Sequence, residues 1–263
     1  MYKAHATAII DPSAEIGQGT VIGPYSIIGP KVKLGKHNII KPHVILEGNT
    51  TIGDNNTIYQ FASIGSAPQD QKWEGHDTSL IIGDNNQIRE YVTIQPATNL
   101  DGVTKIGNNN LFMACSHVAH DVTIGDDCQL ANAVCIAGHV VIANKVIIGG
   151  LAGVHQSVSI GDFAFIAAGS LVVQDIPPFC IAQGDRAKLI QVNKVGLARG
   201  NFSQSDIRKL QTIFRKLFYQ PGIFEIKRAA LEKEYADFAP MDRIFEFIRF
   251  SKRGITACAR FNS

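Results

Sequence analysis

Charge is scarce in this chain. Asp, Glu, Lys and Arg make up only 18% of its 263 residues, so charge does not organise the sequence. Long apolar runs are missing as well. None approaches the length of a membrane span, and Met1 to Ala8 lacks the charged-then-apolar pattern of a secretory signal. Cysteine offers no framework either: Cys115, Cys128, Cys135, Cys180 and Cys258 are odd in number, contain no C-x-x-C pair and mostly sit among apolar neighbours. This usage reads as reduced thiols. The expectation is a soluble, cytoplasmic protein without a membrane span. The 45% of hydrophobic residues is enough for a substantial core, in one large domain or two smaller ones.

What charge there is divides unevenly. Residues 1–184 hold 9 Lys and Arg against 15 Asp and Glu, whereas residues 185–263 hold 16 against 8. An acidic body with a basic tail suggests that the tail meets something anionic: nucleic acid, a phosphate ligand or an acidic protein.

The dominant feature is a repeat of period six. From Ile10 the positions Ile16, Ile22, Ile28, Leu34, Ile40, Leu46, Ile52, Ile58 and Ile64 are all Ile or Leu. The phase resumes at Ile82, Ile88 and Ile94, then runs from Ile106 through Phe112, Val118, Ile124, Leu130, Ile136, Ile142, Ile148, Val154, Ile160 and Ile166 to Val172. Glycine often follows, as in Ile16-Gly17, Ile52-Gly53 and Ile124-Gly125. Period six is not helical, and simple alternation leaves the glycines unexplained. Short strands joined by tight turns fit it, three hexads forming one triangular coil. Stacked coils bury their Ile, Leu and Val in ladders, which makes a parallel β-helix, a solenoid whose single coils are not stable alone. The hand is not given by periodicity; the hexads are familiar from left-handed β-helices, and that resemblance supplies it.

Residues 65–81 and 95–105 break the hexads and read as loops thrown out from the coils, where function tends to reside. The pattern ends at Pro177-Pro178. Ser203 with Asp206 reads as a helix start, followed by an apolar face of Ile207, Leu210, Phe214, Leu217 and Phe218 that Pro221-Gly222 stops. Further helices are expected over roughly Phe224–Tyr235 and Met241–Ser251. The division is therefore 1–184, β-helix, and 185–263, a small helical domain that caps the solenoid end.

Residues 18 apart fall on the same corner of neighbouring coils, about 4.8 Å apart. Measured from the ladder Val118, Ile136, Val154, the positions just outside it are His117, His120 and Asp121 in one coil, Gly138 and His139 in the next, and His155 and Gln156 in the third. An imidazole has an ordinary pKa of about 6.5 and accepts a proton near neutrality. Asp121 is placed to hold its tautomer, and the Gly138 N–H to stabilise an oxyanion. Incidental surface histidines at turns are the bland reading, but four on one edge in step with an Asp and a Gly favour an acid–base site. A zinc site of His117, His120 and His139 is a second reading of the cluster, similar to that of left-handed β-helix carbonic anhydrases, though it leaves the basic tail without a role.

The stretch His117-Val118-Ala119-His120-Asp121 resembles the catalytic signature of the UDP-N-acetylglucosamine acyltransferases of lipid A biosynthesis. So do Ile58 to Gly65, Ala137-Gly138-His139, Val154-His155-Gln156, Gln174 to Pro178 and Ile181 to Gly184. The resemblance extends over nearly the whole chain. It implies a homotrimer that moves a 3-hydroxyacyl chain from acyl carrier protein to the 3-OH of UDP-N-acetylglucosamine, the first step of lipid A biosynthesis. It also implies His120 as general base, Asp121 as its partner and the Gly138 N–H as oxyanion donor. His117, His139, His155 and Gln156 would position substrate, and Gln69, Asp70 and Lys72 would contact sugar and phosphate. Asn193 and Arg199 would lie near the nucleotide, and Ala168 would act as the acyl-chain ruler. No metal, no separate cofactor and no nucleic acid is implied, because the phosphopantetheine arrives on the carrier protein. That protein is acidic, so the Lys and Arg residues of 186–253 would steer it. Cys115 and Cys135 are expected to be packing residues. Val195, Gly200 and Gln95 stand where relatives carry Glu, a second Arg and His. A 3-amino UDP-sugar acceptor and another hexapeptide-repeat acyltransferase are the alternatives. An N-acyltransferase of the same pathway would need an extra domain ahead of Ile10.

Overall fold

A computed structural model describes residues 1–259. Two-residue strands recur every six residues, and each pairs in parallel with the strand one coil away. His117–Val118 lies against Cys135–Ile136, which lies against Gly153–Val154 and then Leu171–Val172. The coil length is therefore the eighteen residues expected from three hexads. Among the described residues the strands collect into three sheets of eleven, nine and eight strands, the faces of a triangular prism. Face 1 contains Leu111–Phe112 and Gln129–Leu130, face 2 contains His117–Val118, and face 3 contains Thr123–Ile124.

Each short strand turns one side chain inward and one outward. The inward file Val118, Ile136, Val154 and Val172 is buried, and its counterparts on the other faces complete a continuous apolar core. Such a file is stable because the backbone N–H and C=O groups of its strands find partners in the adjacent coils. The corners require a left-handed backbone, and most supply it without glycine: φ is +59° at Asn55, Asp121 and His139. Asn, Asp and His tolerate this region better than most residues.

A buried polar ladder climbs the corner before face 1. Asn56, Asn86 and Asn110 each accept, through the side-chain oxygen, the backbone N–H of the next coil. Their amide nitrogens donate to Gly83, Gly107 and Gly125 carbonyls. Cys128 takes the next rung and donates its thiol to the Ala143 carbonyl at 3.0 Å.

The expected breaks are loops over 65–78 and 95–102, each followed by a longer, four-residue strand, Ser79–Ile82 and Val103–Ile106. Both loops leave from the corner after face 2. The strands beyond them return to register at offsets of 30 and 24 residues instead of eighteen.

The sequence division at 184/185 falls inside a β-hairpin. Cys180–Gln183 pairs antiparallel with Lys188–Val192, and both belong to the face 1 sheet. Helical structure starts only at α1, Lys194–Arg199. It continues with α2, Gln204–Phe214, extended by a π-helical turn over Arg215–Tyr219, then α3, Phe224–Glu234, and α4, Ala239–Phe250. The Ser203 hydroxyl oxygen accepts the Asp206 N–H at 3.0 Å, as the sequence pattern predicts. The tail then returns to the solenoid. Buried Asp175 accepts from the Ser251 hydroxyl at 2.6 Å and from the Ser159 and Arg253 N–H groups at 2.7 and 3.2 Å.

Candidate active site

The corner after face 2 has a position, two residues past the inward apolar residue, whose N–H points away from the coil. Proline occupies it at Pro12, Pro30 and Pro96, where the lost donor matters little. In the coils of interest it holds His120, Gly138 and Gln156 instead. The Gly138 N–H makes no hydrogen bond among the described residues. Its neighbours Ala137 and His139 donate to Val154 and to the His120 carbonyl.

His120 is only 8% exposed, and its ring lies against Gly138: a Cβ built on Gly138 would sit 2.4 Å from His120 Cε1 and 2.6 Å from Nε2. Gly138 thus makes room for the ring, and its own N–H stays unpaired. His120 Nδ1 lies 2.8 Å from Asp121 Oδ2. A carboxylate only accepts, so Nδ1 carries the proton and Nε2 keeps its lone pair. Nε2 lies 3.7 Å from Asp70 Oδ2. Burial works to raise the Asp121 carboxyl, but hydrogen bonds from His120 and Thr98 outweigh it and hold it below its ordinary value. His139 Nε2 approaches the same carboxylate at 3.8 Å, with its ring edge-on to His120.

His120 and Gly138 border a cleft of about 560 Å³. Its polar lining is Gln69, Gln95, His117, His120, His155 and Gln156, and its apolar lining includes Cys135, Gly153 and Leu171. Burial, with His120 nearby, depresses the His117 pKa and keeps that ring neutral; its Nδ1 lies 2.7 Å from the Thr93 hydroxyl.

The structure brings together Gln69, Asp70, His117, His120, Asp121, Gly138, His139, His155 and Gln156. Four other expected residues stand outside this group. Lys72 stays exposed, its backbone N–H donating to the Asp70 carboxylate at 3.0 Å. Asn193 is buried as the N-cap of α1, accepting from the Gly196 N–H and donating to the Phe163 carbonyl. Arg199 is exposed in the last turn of α1. Ala168 lies on the corner after face 1, beside Gly149. The expected triad of His117, His120 and His139 is not brought within ligand distance as a group. The metal-capable group among the described residues is His120, Asp121 and His139, within 4.8 Å of one another. Cys115 and Cys135 are exposed, not packed inside; Cys135 projects outward from face 2 into the cleft.

Sequence reasoning missed the loop residues that hold the site. Gln95 is buried, accepts the Gln69 N–H at 3.2 Å and donates to the Ala67 carbonyl at 3.5 Å. Thr98 and Asn99 reach Asp121. Gln95 was marked only as a departure from the family pattern, and Thr98 and Asn99 only by their position in a segment that breaks the hexads.

A hexad coil with a His–Asp pair opening on a cleft defines the hexapeptide-repeat transferase class. The model of six bacterial transferase hexapeptide repeats matches residues 104–138. That of the C-terminal domain of GMPPB matches residues 4–103, and that of UDP-N-acetylglucosamine O-acyltransferase domain 2 matches residues 175–256. An acyl-[acyl-carrier-protein]–UDP-N-acetylglucosamine O-acyltransferase of Aliarcobacter butzleri is 48% identical over 97% of this chain and 98% of its own. The Myxococcus xanthus protein of the same name is 45% identical over 97% and 100%. The solved UDP-N-acetylglucosamine O-acyltransferase of Moraxella catarrhalis superposes with a TM-score of 0.94 at 43% identity, over 96% of this chain and 99% of its own. The chain belongs to the UDP-N-acetylglucosamine O-acyltransferase family, and its solenoid is the left-handed β-helix of those relatives. Among the described residues no helix is long and apolar enough to cross a membrane.

Proposed function

We propose that the chain transfers a 3-hydroxyacyl group from acyl carrier protein to the 3-OH of UDP-N-acetylglucosamine, opening lipid A biosynthesis in the cytoplasm. Family membership supports the reaction. One observation carries the mechanism: His120 has Nδ1 tied to Asp121 and Nε2 open to the cleft beside the unpaired Gly138 N–H.

The sugar hydroxyl gives its proton to His120 Nε2 as its oxygen attacks the thioester carbonyl. The carbonyl oxygen gains the charge and is stabilised by the Gly138 N–H. The C–S bond then breaks, and the imidazolium returns the proton to the departing thiolate of the carrier's phosphopantetheine arm. Asp121 stabilises the imidazolium while it lasts. Gln69 and Asp70 face the sugar, and the apolar lining at Gly153 and Leu171 receives the acyl chain. The step balances without a metal, a separate cofactor or an acyl-enzyme.

The active form is a homotrimer in this reading. Face 1 exposes Val21 and Ile39, face 2 exposes Ile9, Ile27 and Ile45, and face 3 exposes Ile81, Val103 and Val141 beside Glu15, Lys33 and Lys105. Exposed apolar surface of this kind suits association about an axis. Ala168, Asn193 and Arg199, away from the cleft of their own chain, would then act from a neighbouring copy.

His120→Ala tests the assignment. With 3-hydroxyacyl carrier protein and UDP-N-acetylglucosamine, kcat should fall by about 10²–10⁴-fold, the usual contribution of a positioned base. A variant as active as the parent removes His120 from the mechanism.

A further inference from the structure

The loop at 95–102 carries two side chains that the reaction as described does not use. We propose that Thr98 is a positioning residue for the catalytic pair, its hydroxyl fixing the Asp121 carboxylate so that Asp121 holds His120 in the Nδ1–H tautomer. This rests on the reading of His120 as general base.

The geometry is specific. The Thr98 hydroxyl donates to Asp121 Oδ2 at 2.7 Å, and the Thr98 backbone N–H donates to the same oxygen at 3.1 Å. That oxygen also accepts from His120 Nδ1 at 2.8 Å. Asn99 Nδ2 reaches the other oxygen, Oδ1, at 3.3 Å, and the Asp121 N–H donates to the Thr104 hydroxyl at 2.8 Å. Both carboxylate oxygens and the backbone of Asp121 are thus held from outside its own coil. Space for the carboxylate is left by Gly102, where a Cβ would stand 3.1 Å from Asp121 Oδ1.

Without these contacts, Asp121 is a short side chain at a corner with φ of +59° and would rotate between His120 and His139, both within 4 Å of Oδ2. A carboxylate that wanders toward His139 frees the His120 ring to take the other tautomer, with the proton on Nε2. In that form the ring cannot accept the sugar proton. A loop that merely covered the cleft would have no need to place two donors on one oxygen of the catalytic pair.

Thr98→Val removes the hydroxyl and keeps shape and backbone N–H; Thr98→Ser keeps the hydroxyl. The expected result for valine is a fall in kcat on the order of 10- to 100-fold, short of the loss of the base itself, with KM for both substrates little changed. Serine should restore most of the rate. In the free protein, the low-field Nδ1–H proton signal of His120 should be present in the parent and the serine variant and lost to exchange in the valine variant. The double variant T98V/D121N should be no slower than D121N alone, since the two act as one unit. A valine variant that keeps both its kcat and the Nδ1–H signal overturns the proposal, as do losses for T98V and D121N that multiply. Should valine not fold, the comparison passes to Thr98→Ala against Thr98→Ser with the same signal. The spectroscopic result stands apart from the reading beneath it: an active His120→Ala enzyme would remove the base, whereas an unperturbed His120 signal in T98V removes the role of Thr98.

Discussion

At the scale of single residues, Gly138 joins two requirements. Its backbone lies outside the left-handed region, so alanine there brings no dihedral strain, but its Cβ would enter the space of the His120 ring. Gly138→Ala should therefore fold with an unfolding midpoint close to that of the parent. It should lose on the order of 10²-fold or more in kcat, the magnitude associated with an oxyanion donor. Thermal melts beside steady-state rates check both halves; a fully active alanine variant would show that the ring need not rest there. The pairing of His120 with Gly138 is legible in the sequence because both lie on the uninterrupted eighteen-residue winding. Asp70, Gln95, Thr98 and Asn99 are not legible in the same way. They sit in segments that leave the coil, where spacing no longer converts into position, and only the resemblance pointed to Asp70.

At the scale of elements, the asparagine ladder explains how so narrow a prism tolerates polar groups inside it. Each rung satisfies a backbone N–H on one side and a carbonyl on the other. Asn86→Leu would strand the Asn110 N–H and the Gly107 carbonyl. At about 1–3 kcal/mol for each buried unsatisfied group, a loss of roughly 2–6 kcal/mol is expected. Cys128→Asn should fit its rung and keep the parent's stability. Denaturant titrations of the two variants check this pair. The strands were readable because their period is strict, and α2 because Ser203 and Asp206 announce it. Helix α1 was not, since Leu197 is its only buried residue and no apolar face can declare itself in six residues. Its cap, Asn193, shows how a residue marked for ligand by family likeness can also carry a structural duty. The hairpin after Gln183 escaped because an antiparallel pair of four or five residues has no hexad phase.

For the whole molecule, the thiols and one phenol set the response to alkali. Burial raises Cys128 from 9.0 to about 12 and Cys258 from 9.0 to about 11, in each case against nearby hydrogen-bond donors that pull the other way. Burial lifts Cys180 well above 9.0 and Tyr219 from 10.0 to about 12. These groups keep their protons in the folded chain at a pH where the unfolded chain has lost them. Their contribution to stability is therefore complete below pH 9 and diminishes as pH rises through 10 and 11. Equilibrium unfolding from pH 8 to 11 should show a plateau followed by a decline, and Cys128→Asn should make that decline shallower. A flat profile would mean that these groups reach solvent in the folded state.

The reversal at Lys188–Val192 has a consequence beyond its place at the end of face 1. A stack of parallel strands ends in a row of unpaired donors and acceptors, an invitation for another stack to continue it. Here the outer edge of the last strand is already taken: the Leu189 N–H donates to the Ala257 carbonyl and the Ala259 N–H to the Leu189 carbonyl, in a tail that Ser251 ties to Asp175. The chain thus lays its own tail as a lid on the face 1 edge, where another stack would otherwise find a template.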